Sequence, residues 1–317
     1  MISINENYKN NIINMFGDIG VKWLDSIPNI IEKYVKEFEL TNIKVNEPLT
    51  YNIVMSADSK KYGSVILKIE IPYKEMTIRE AAALELNNGV GGCKCYYKDI
   101  DDGVLLIEKL KPGDSLNTVE DLETRTKIFS DVLNRFSIKV NTINNDLPFY
   151  KDILKRSIDM VYNEPERFGE IKEPVILAEK IYNEIETKGD NNYLLHSDLY
   201  SDNIILSGDV WKAIDPHGFL GNKVLDTAIF IQKELDKIGY TRENIDTIIK
   251  LVSKKCGYTN EEISKAFYVN YVLNICWDRE VNLDTTKSLE RANLINNYII
   301  QKKKIKTLKP IYNDDKK

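Results

Sequence analysis

Histidine is the scarcest chemically versatile residue in this chain, with two in 317 residues. Cysteine is nearly as rare, at four. Cys93 and Cys95 are one residue apart with no histidine near them, and Cys256 and Cys276 lie far off in helix-like sequence. That distribution is a poor zinc site and a poor disulfide framework, so the four read as free thiols. Long apolar runs are missing. The N-terminus "MISINENYKNNIINMF" lacks a basic region followed by an apolar stretch, and no later run approaches membrane-spanning length, so a cytoplasmic protein with no membrane partner is expected. Nine prolines and fifteen glycines are scattered without a period, and no self-similar unit is visible, which excludes fibrous and solenoid architectures. There is no strong basic excess either: the net charge is -5 and the pI about 5.4, which argues against nucleic acid as a partner and is compatible with a cationic small molecule. The basic tail "QKKKIKTLKPIYNDDKK" reads as a solvated helix end.

With 43% hydrophobic residues the chain can bury one large core or two packed ones. "VKWLDSIPNIIEKYVKEFEL" places Ile30, Ile31, Tyr34, Val35 and Phe38 on one helical face. "TYNIVMSA" and "GSVILKIEI", joined by "DSKKYG", predict an antiparallel hairpin, and "EMTIREAAALELNN" a helix. After Gly89, Gly91 and Gly92, "CKCYY" and "GVLLIEKL" read as two more strands. The order helix, strand, strand, helix, strand, strand thus fills the first 110 residues. Beyond "KPGDSL" the pattern turns helical. Thr118 and Asp121 suggest a capping box at the start of "NTVEDLETRTKIFSDVLNRF", and further helices are expected at 150–162, 174–188, 224–238, 242–255, 260–281 and 286–303. The one exception is "NIILSGDVWKAID", which reads as two short strands around a Ser-Gly-Asp turn. The expectation is an α+β, bilobal architecture: a small mixed α/β lobe, 1–110, joined near 108–114 to a larger helical lobe, 111–317.

Both histidines fall within "LLHSDLYSDNIILSGDVWKAIDPHGFLG", residues 194–221, among four aspartates and an asparagine. His196, Asp198 and Asn203 stand as H-x-D-x-x-x-x-N, with Asp215 after the expected hairpin. Phosphoryl transfer needs a carboxylate to orient the acceptor hydroxyl, and an amide and a second carboxylate to hold Mg2+ against nucleotide phosphates. The hairpin would bring Asn203 and Asp215 to one open end, with Asp198 on the loop before it. Upstream, Lys68 lies inside a predicted strand. A strand lysine paired with a glutamate on the next helix clamps phosphates in protein kinases. Glu80 suits that pairing, Glu85 competes for it, and the alternative is a lysine on the solvent face of the strand.

These stretches, with "FGDIGVKWLDSIPNII" and "REAAALELNNGVGGCKCYYKDIDDGVLLIEKLKPGDSL", resemble the aminoglycoside phosphotransferase branch of the protein-kinase-like superfamily, most closely the streptomycin 6-phosphotransferase and hydroxyurea-type antibiotic-resistance kinases. The similarity runs from about residue 14 to 232. It implies a bilobal kinase fold, Asp198 as the catalytic aspartate, Asn203 and Asp215 as Mg2+ ligands, and Lys68 on the phosphates with Glu80 as its partner. It also implies a hinge in which the backbone of Glu108, Lys109 and Leu110 meets the purine of ATP or GTP. His196 and Asp226 would support the loop. Two departures stand out: the turn "SADSKKYG" has a single glycine, Gly63, and Asp215 is followed by Pro216 and His217, which suggests a permanently assembled small-molecule kinase. His217 would position substrate or metal, or simply support the site. The activity expected is transfer of a nucleotide γ-phosphoryl group to a hydroxyl of a streptomycin-like aminoglycoside by a monomer or dimer. Kinases of other amino alcohols, sugars or glycated amines, and a non-catalytic nucleotide-binding relative, are the alternatives. For a cationic acceptor the candidate contacts are Trp277, Asp278 and Glu280 at the end of a long helix, which equally read as an ordinary helix end.

Overall fold

A computed structural model describes residues 4–71, 73–141 and 146–308; the tail from 309 onward, part of the expected solvated helix end, lies outside them. Helix α1 (Glu6–Glu37) begins where the Asn5 side chain accepts the Tyr8 amide at 2.8 Å, and it is interrupted at Gly17, whose φ of 55° a side chain would resist. Its stripe of Ile12, Trp23, Ile27, Ile31 and Tyr34 is buried against a five-stranded antiparallel sheet. The strands are β1 (Leu40–Val45), β2 (Ile53–Ser59), β3 (Gly63–Ile69), β4 (Cys95–Asp99) and β5 (Val104–Glu108), with α2 (Lys74–Asn87) between β3 and β4. Their spatial order is β1-β2-β3-β5-β4. The first strand departs from the expected order. "LTNIKV" lies at the sheet edge, its register on β2 shifts between Thr41 and Lys44, and Asn42 sits at φ 53°, so it lacks the clean alternation that marks a strand.

The larger lobe holds β6 (Pro112–Ser115), α3 (Leu122–Phe136), α4 (Tyr150–Asn163), α5 (Pro165–Phe168), α6 (Lys172–Glu186), β7 (Tyr193–Leu195), β8 (Ile204–Ser207), β9 (Val210–Ala213), β10 (Phe219–Gly221), α7 (Thr227–Ile238), α8 (Arg242–Cys256), α9 (Asn260–Glu280) and α10 (Thr286–Leu308). Thr118 does not cap α3. Ser115 opens a short 3-10 turn, Leu116–Thr118, which ties the Thr118 hydroxyl to the Ser115 carbonyl, and Asp121 caps α3 by accepting the Thr124 amide at 2.8 Å. The expected hairpin forms as β8 and β9, turning at Gly208 (φ 58°) and Asp209. Three strands beyond it, β6, β7 and β10, are each three or four residues long, too short for periodicity to reveal. Helix α9 is buried along most of its length, from Ile263 to Cys276, and forms the centre of the lobe. Among the described residues no helix is long and apolar enough to cross a membrane.

The two lobes meet through a separate small cluster in which Ala81, Leu84, Cys93, Leu105, Ile107 and Leu110 pack with Ile205 and Ile214 of the β8–β9 hairpin. Beside it Asn87, at the end of α2, makes four hydrogen bonds. Its Nδ2 donates to the Arg135 and Phe136 carbonyls at 3.0 Å each, and its Oδ1 accepts the Gly91 and Gly92 amides at 2.7 Å each. The glycine segment then pairs with β9, Ala213 N donating to Gly91 O at 2.8 Å and Cys93 N to Ala213 O at 2.9 Å. A Cβ on Gly91 would lie 2.4 Å from the Phe136 amide nitrogen, so only glycine allows this approach. Gly91→Ala is therefore expected to destabilise the fold by about 1–3 kcal/mol in thermal or chemical denaturation, the usual overpacking cost, while Gly169→Ala, with open space around it, should be close to neutral.

Candidate active site

The β8–β9 hairpin and the loop before it bring the motif together. Ile204 pairs with Ala213, and Ile214 N donates to Asn203 O at 3.0 Å, which sets Asn203 and Asp215 at the same end of the hairpin. Asn203 Nδ2 donates to both the carbonyl and Oδ2 of Asp198, 2.9 Å each. With its amide nitrogen spent on Asp198, Asn203 directs Oδ1 as its remaining ligand atom. Asp215 is half-exposed and sits at φ 57°. One amide oxygen and one carboxylate suit a hard divalent cation whose remaining ligands come from phosphate and water. Among the described residues no group of three or more His, Cys, Asp or Glu side chains is arranged to hold a metal by itself.

The loop is held from beneath. Asp226 accepts the His196 and Ser197 amides, both at 2.7 Å, which stabilises Ser197 at φ 63°. The fully buried His196 accepts the Asp198 amide at Nδ1 (3.3 Å) and donates from Nε2 to the Ile214 carbonyl (2.8 Å). That network needs a neutral ring, and burial together with His217 lowers its pKa to about 3. Burial raises the Asp198 carboxyl to about 7, against the pull of Lys233 and of the Asn203 hydrogen bond. His217 donates its amide to the His196 carbonyl at 2.8 Å, and burial, with Arg79 and Lys68 nearby, lowers its ring to about 4.

Lys68 reaches the same place from β3. It is 4% exposed, and its ammonium is bonded to Glu80 on α2 and lies 3.2 Å from Glu70 and 3.3 Å from Asp215. Glu85 instead pairs with Lys98 at 2.7 Å on the surface. Burial works against the charge on Lys68, but Asp215, Glu80 and Glu70 outweigh it and hold the amine well above its usual range. Lys68 in turn holds the Glu70 carboxyl below its usual range, against the upward push of burial. Glu70 was not foreseen. It stands just past the end of β3, two residues after Lys68, so the period-2 rule carried one residue beyond the strand would have found it.

In the linker, the Glu108 amide donates to Lys94 O (2.8 Å) and the Lys109 amide to Ser64 O (3.3 Å). The Glu108 carboxylate is held by Lys212 (2.9 Å) and the Lys94 amide (3.1 Å). Leu110, nearly buried, belongs to the interlobe cluster, and its amide makes no backbone hydrogen bond among the described residues. Trp277, Asp278 and Glu280 lie apart from this network. Glu280 is bonded to Arg156 through its carboxylate and to Arg167 through its carbonyl, Asp278 O accepts the Leu283 amide at 2.9 Å, and Trp277 is half-buried. No hydrogen bond or ion pair joins the three to Asp198 among the described residues.

Replacing Lys68 would leave Glu70, Glu80 and Asp215 without their shared cation. In Lys68→Met the buried carboxyls should stay protonated in the folded state, with pKa values raised above those of the unfolded chain. A raised carboxyl favours folding at low pH and opposes it as pH climbs. The melting temperature of Lys68→Met should therefore fall further below that of the parent at pH 8 than at pH 5, by differential scanning calorimetry.

Comparison with known proteins identifies the family and the fold. The model of the aminoglycoside/hydroxyurea antibiotic resistance kinase family matches residues 53–282. A streptomycin 6-kinase of Streptomyces glaucescens is 22% identical over 273 residues, covering 84% of this chain and 87% of that one. Among solved structures, choline kinase LicA of Streptococcus pneumoniae superposes with a TM-score of 0.59 at 16% identity, over 87% of this chain and 99% of that one. The aminoglycoside phosphotransferase APH(4)-Ia, in a ternary complex with ADP and hygromycin B, gives 0.57 at 8% identity, over 85% and 97%. These similarities establish the protein-kinase-like fold, and because the family model spans well over half of its length, the chain belongs to the aminoglycoside/hydroxyurea antibiotic resistance kinases.

Proposed function

We propose that this protein transfers the γ-phosphoryl group of ATP or GTP to a hydroxyl of an aminoglycoside-type small molecule. The observation that carries the reading is the continuous set of contacts from Glu80 through Lys68 to Asp215, and across the hairpin end from Asn203 to Asp198. It spans both lobes and ends on a carboxylate with a free face.

In this reading Asn203 Oδ1 and Asp215 hold Mg2+, which when bound neutralises phosphate charge. Lys68 turns from its carboxylates to the phosphates, and Glu80 keeps it aligned. The Leu110 amide is the open donor for the purine edge. Asp198 accepts a hydrogen bond from the acceptor hydroxyl, orients its oxygen toward the γ-phosphorus and takes the proton late, since a loose transition state asks little of a base. The Asn203 amide keeps Asp198 in that orientation, and His196 and Asp226 hold the loop still beneath it.

A second reading, a kinase of another small hydroxyl metabolite, is favoured by the acids at the end of α9. Glu280 is already neutralised by Arg156, and Arg279 is paired with Glu170, so that surface offers a polycation less free negative charge than the residue types suggest.

Nucleotide consumption by the purified protein with Mg2+, testing ATP and GTP separately against streptomycin, other aminoglycosides, hydroxyurea, choline and simple sugars, distinguishes the readings. Turnover with an aminoglycoside that Asp198→Ala reduces by about 100-fold or more, with nucleotide affinity retained, is the expected result. Turnover confined to choline or sugars would select the second reading. Asp215→Ala should instead weaken binding of the magnesium nucleotide itself; equal loss of nucleotide affinity in both variants would overturn the assignment of roles.

A further inference from the structure

Helix α7 is fastened to the 196–203 loop at successive points. Its start carries Asp226 under the His196 and Ser197 amides. Two turns on, the buried Glu234 accepts the Ser201 hydroxyl at 3.2 Å and is itself held by Arg125 and, at 2.9 Å, by Lys237. Next to Glu234 stands Lys233, whose ammonium lies 5.1 Å from the centre of the Tyr200 ring. Residues 233 and 234 of α7 thus face residues 200 and 201 of the loop, two and three positions after Asp198.

Lys233 is half-buried, and among the described residues it makes no ion pair, whereas Lys237 one turn later is committed to Glu234. A partly desolvated cation on an aromatic face, without a counter-ion, keeps its field available to an incoming anion. The loop supplies no other cation: "HSDLYSDN" contains no lysine or arginine, and His196 is neutral.

We propose that Lys233 is a second phosphate-binding cation, placed on the helical-lobe side of Asp198, that contacts the phosphoryl group during transfer while Lys68 holds the nucleotide phosphates from the sheet side. The inference rests on the phosphotransferase reading above. In the step it serves, the acceptor oxygen bonds to the γ-phosphorus, the bond from that phosphorus to the β–γ bridging oxygen breaks to release the nucleoside diphosphate, and the hydroxyl proton passes to Asp198. In a loose transition state the charge of the group in flight is spread over its three equatorial oxygens, and a preorganised ammonium beside them stabilises it there.

The test needs no acceptor. Calorimetric titration of the full chain with Mg-ADP and Mg-GDP, alone and with aluminium fluoride as the mimic of the group in flight, separates the transition-state contact from nucleotide binding. Lys233→Met should lower the affinity for the fluoride complex by about 100-fold while leaving that for the diphosphate alone within about threefold, and Lys233→Arg should recover most of the loss. Unchanged affinity for the fluoride complex in Lys233→Met would overturn the proposal, as would an equal loss for diphosphate with and without fluoride, which would mark a structural defect. Failure of the parent protein to bind either diphosphate would overturn the phosphotransferase reading first, and this inference with it.

Discussion

An ammonium group removed from water is tolerated only where carboxylates surround it, and Lys68 is the clearest case in this molecule. It is sealed from solvent and meets Glu70 just past the end of its own strand, Glu80 on α2 and Asp215 from the other lobe. Each partner constrains a different part of the chain. Glu80 requires α2 to pack against the sheet with one face inward, which is why Thr77, Ala81 and Leu84 are buried beside it. Asp215 requires the β8–β9 hairpin to end within reach of the small lobe, which the pairing of Gly91–Cys93 with Ala213 achieves. The relative placement of the lobes is thus set by electrostatic necessity as much as by the apolar seam between them.

Residues whose signal is local were legible before any coordinates. The H-x-D-x-x-x-x-N run, the two-residue turn at Gly208 and Asp209 and the strand lysine are short-range patterns, and the geometry places Asp198, Asn203, Asp215, Lys68 and Glu80 in one connected network. What stayed hidden depends on distant partners. Lys233 looks like any exposed helix lysine until α7 is laid along the loop, and Asn87 looks like one of many asparagines until the Phe136 carbonyl comes within 3.0 Å. The edge strand β1 escaped because its pairing is irregular, and β6, β7 and β10 because they are shorter than the periods that would announce them. The acids near Trp277 show what residue types leave out. Their residue types suggested a cation site; Glu280 is paired with Arg156 from an unrelated stretch, while Arg279 of the same helix is paired with Glu170.

The connection between α2 and the Asp215 segment has a mechanical meaning. A Cβ on Gly218 would lie 2.5 Å from the Arg79 carbonyl, and the Arg79 guanidinium covers the Phe219 ring at 4.6 Å. Together with the Asn87 clasp, these contacts weld the hinge side of the small lobe to the large one. The tip of the β2–β3 turn is different: Lys60 and Lys61 are exposed, and Gly63 has nothing within 4 Å of where a side chain would begin. The molecule thus has one tightly packed joint and one turn that stands in open space. Sliding of one half across the other would have to break these contacts together, so the two halves are joined as by a weld and not as by a bearing.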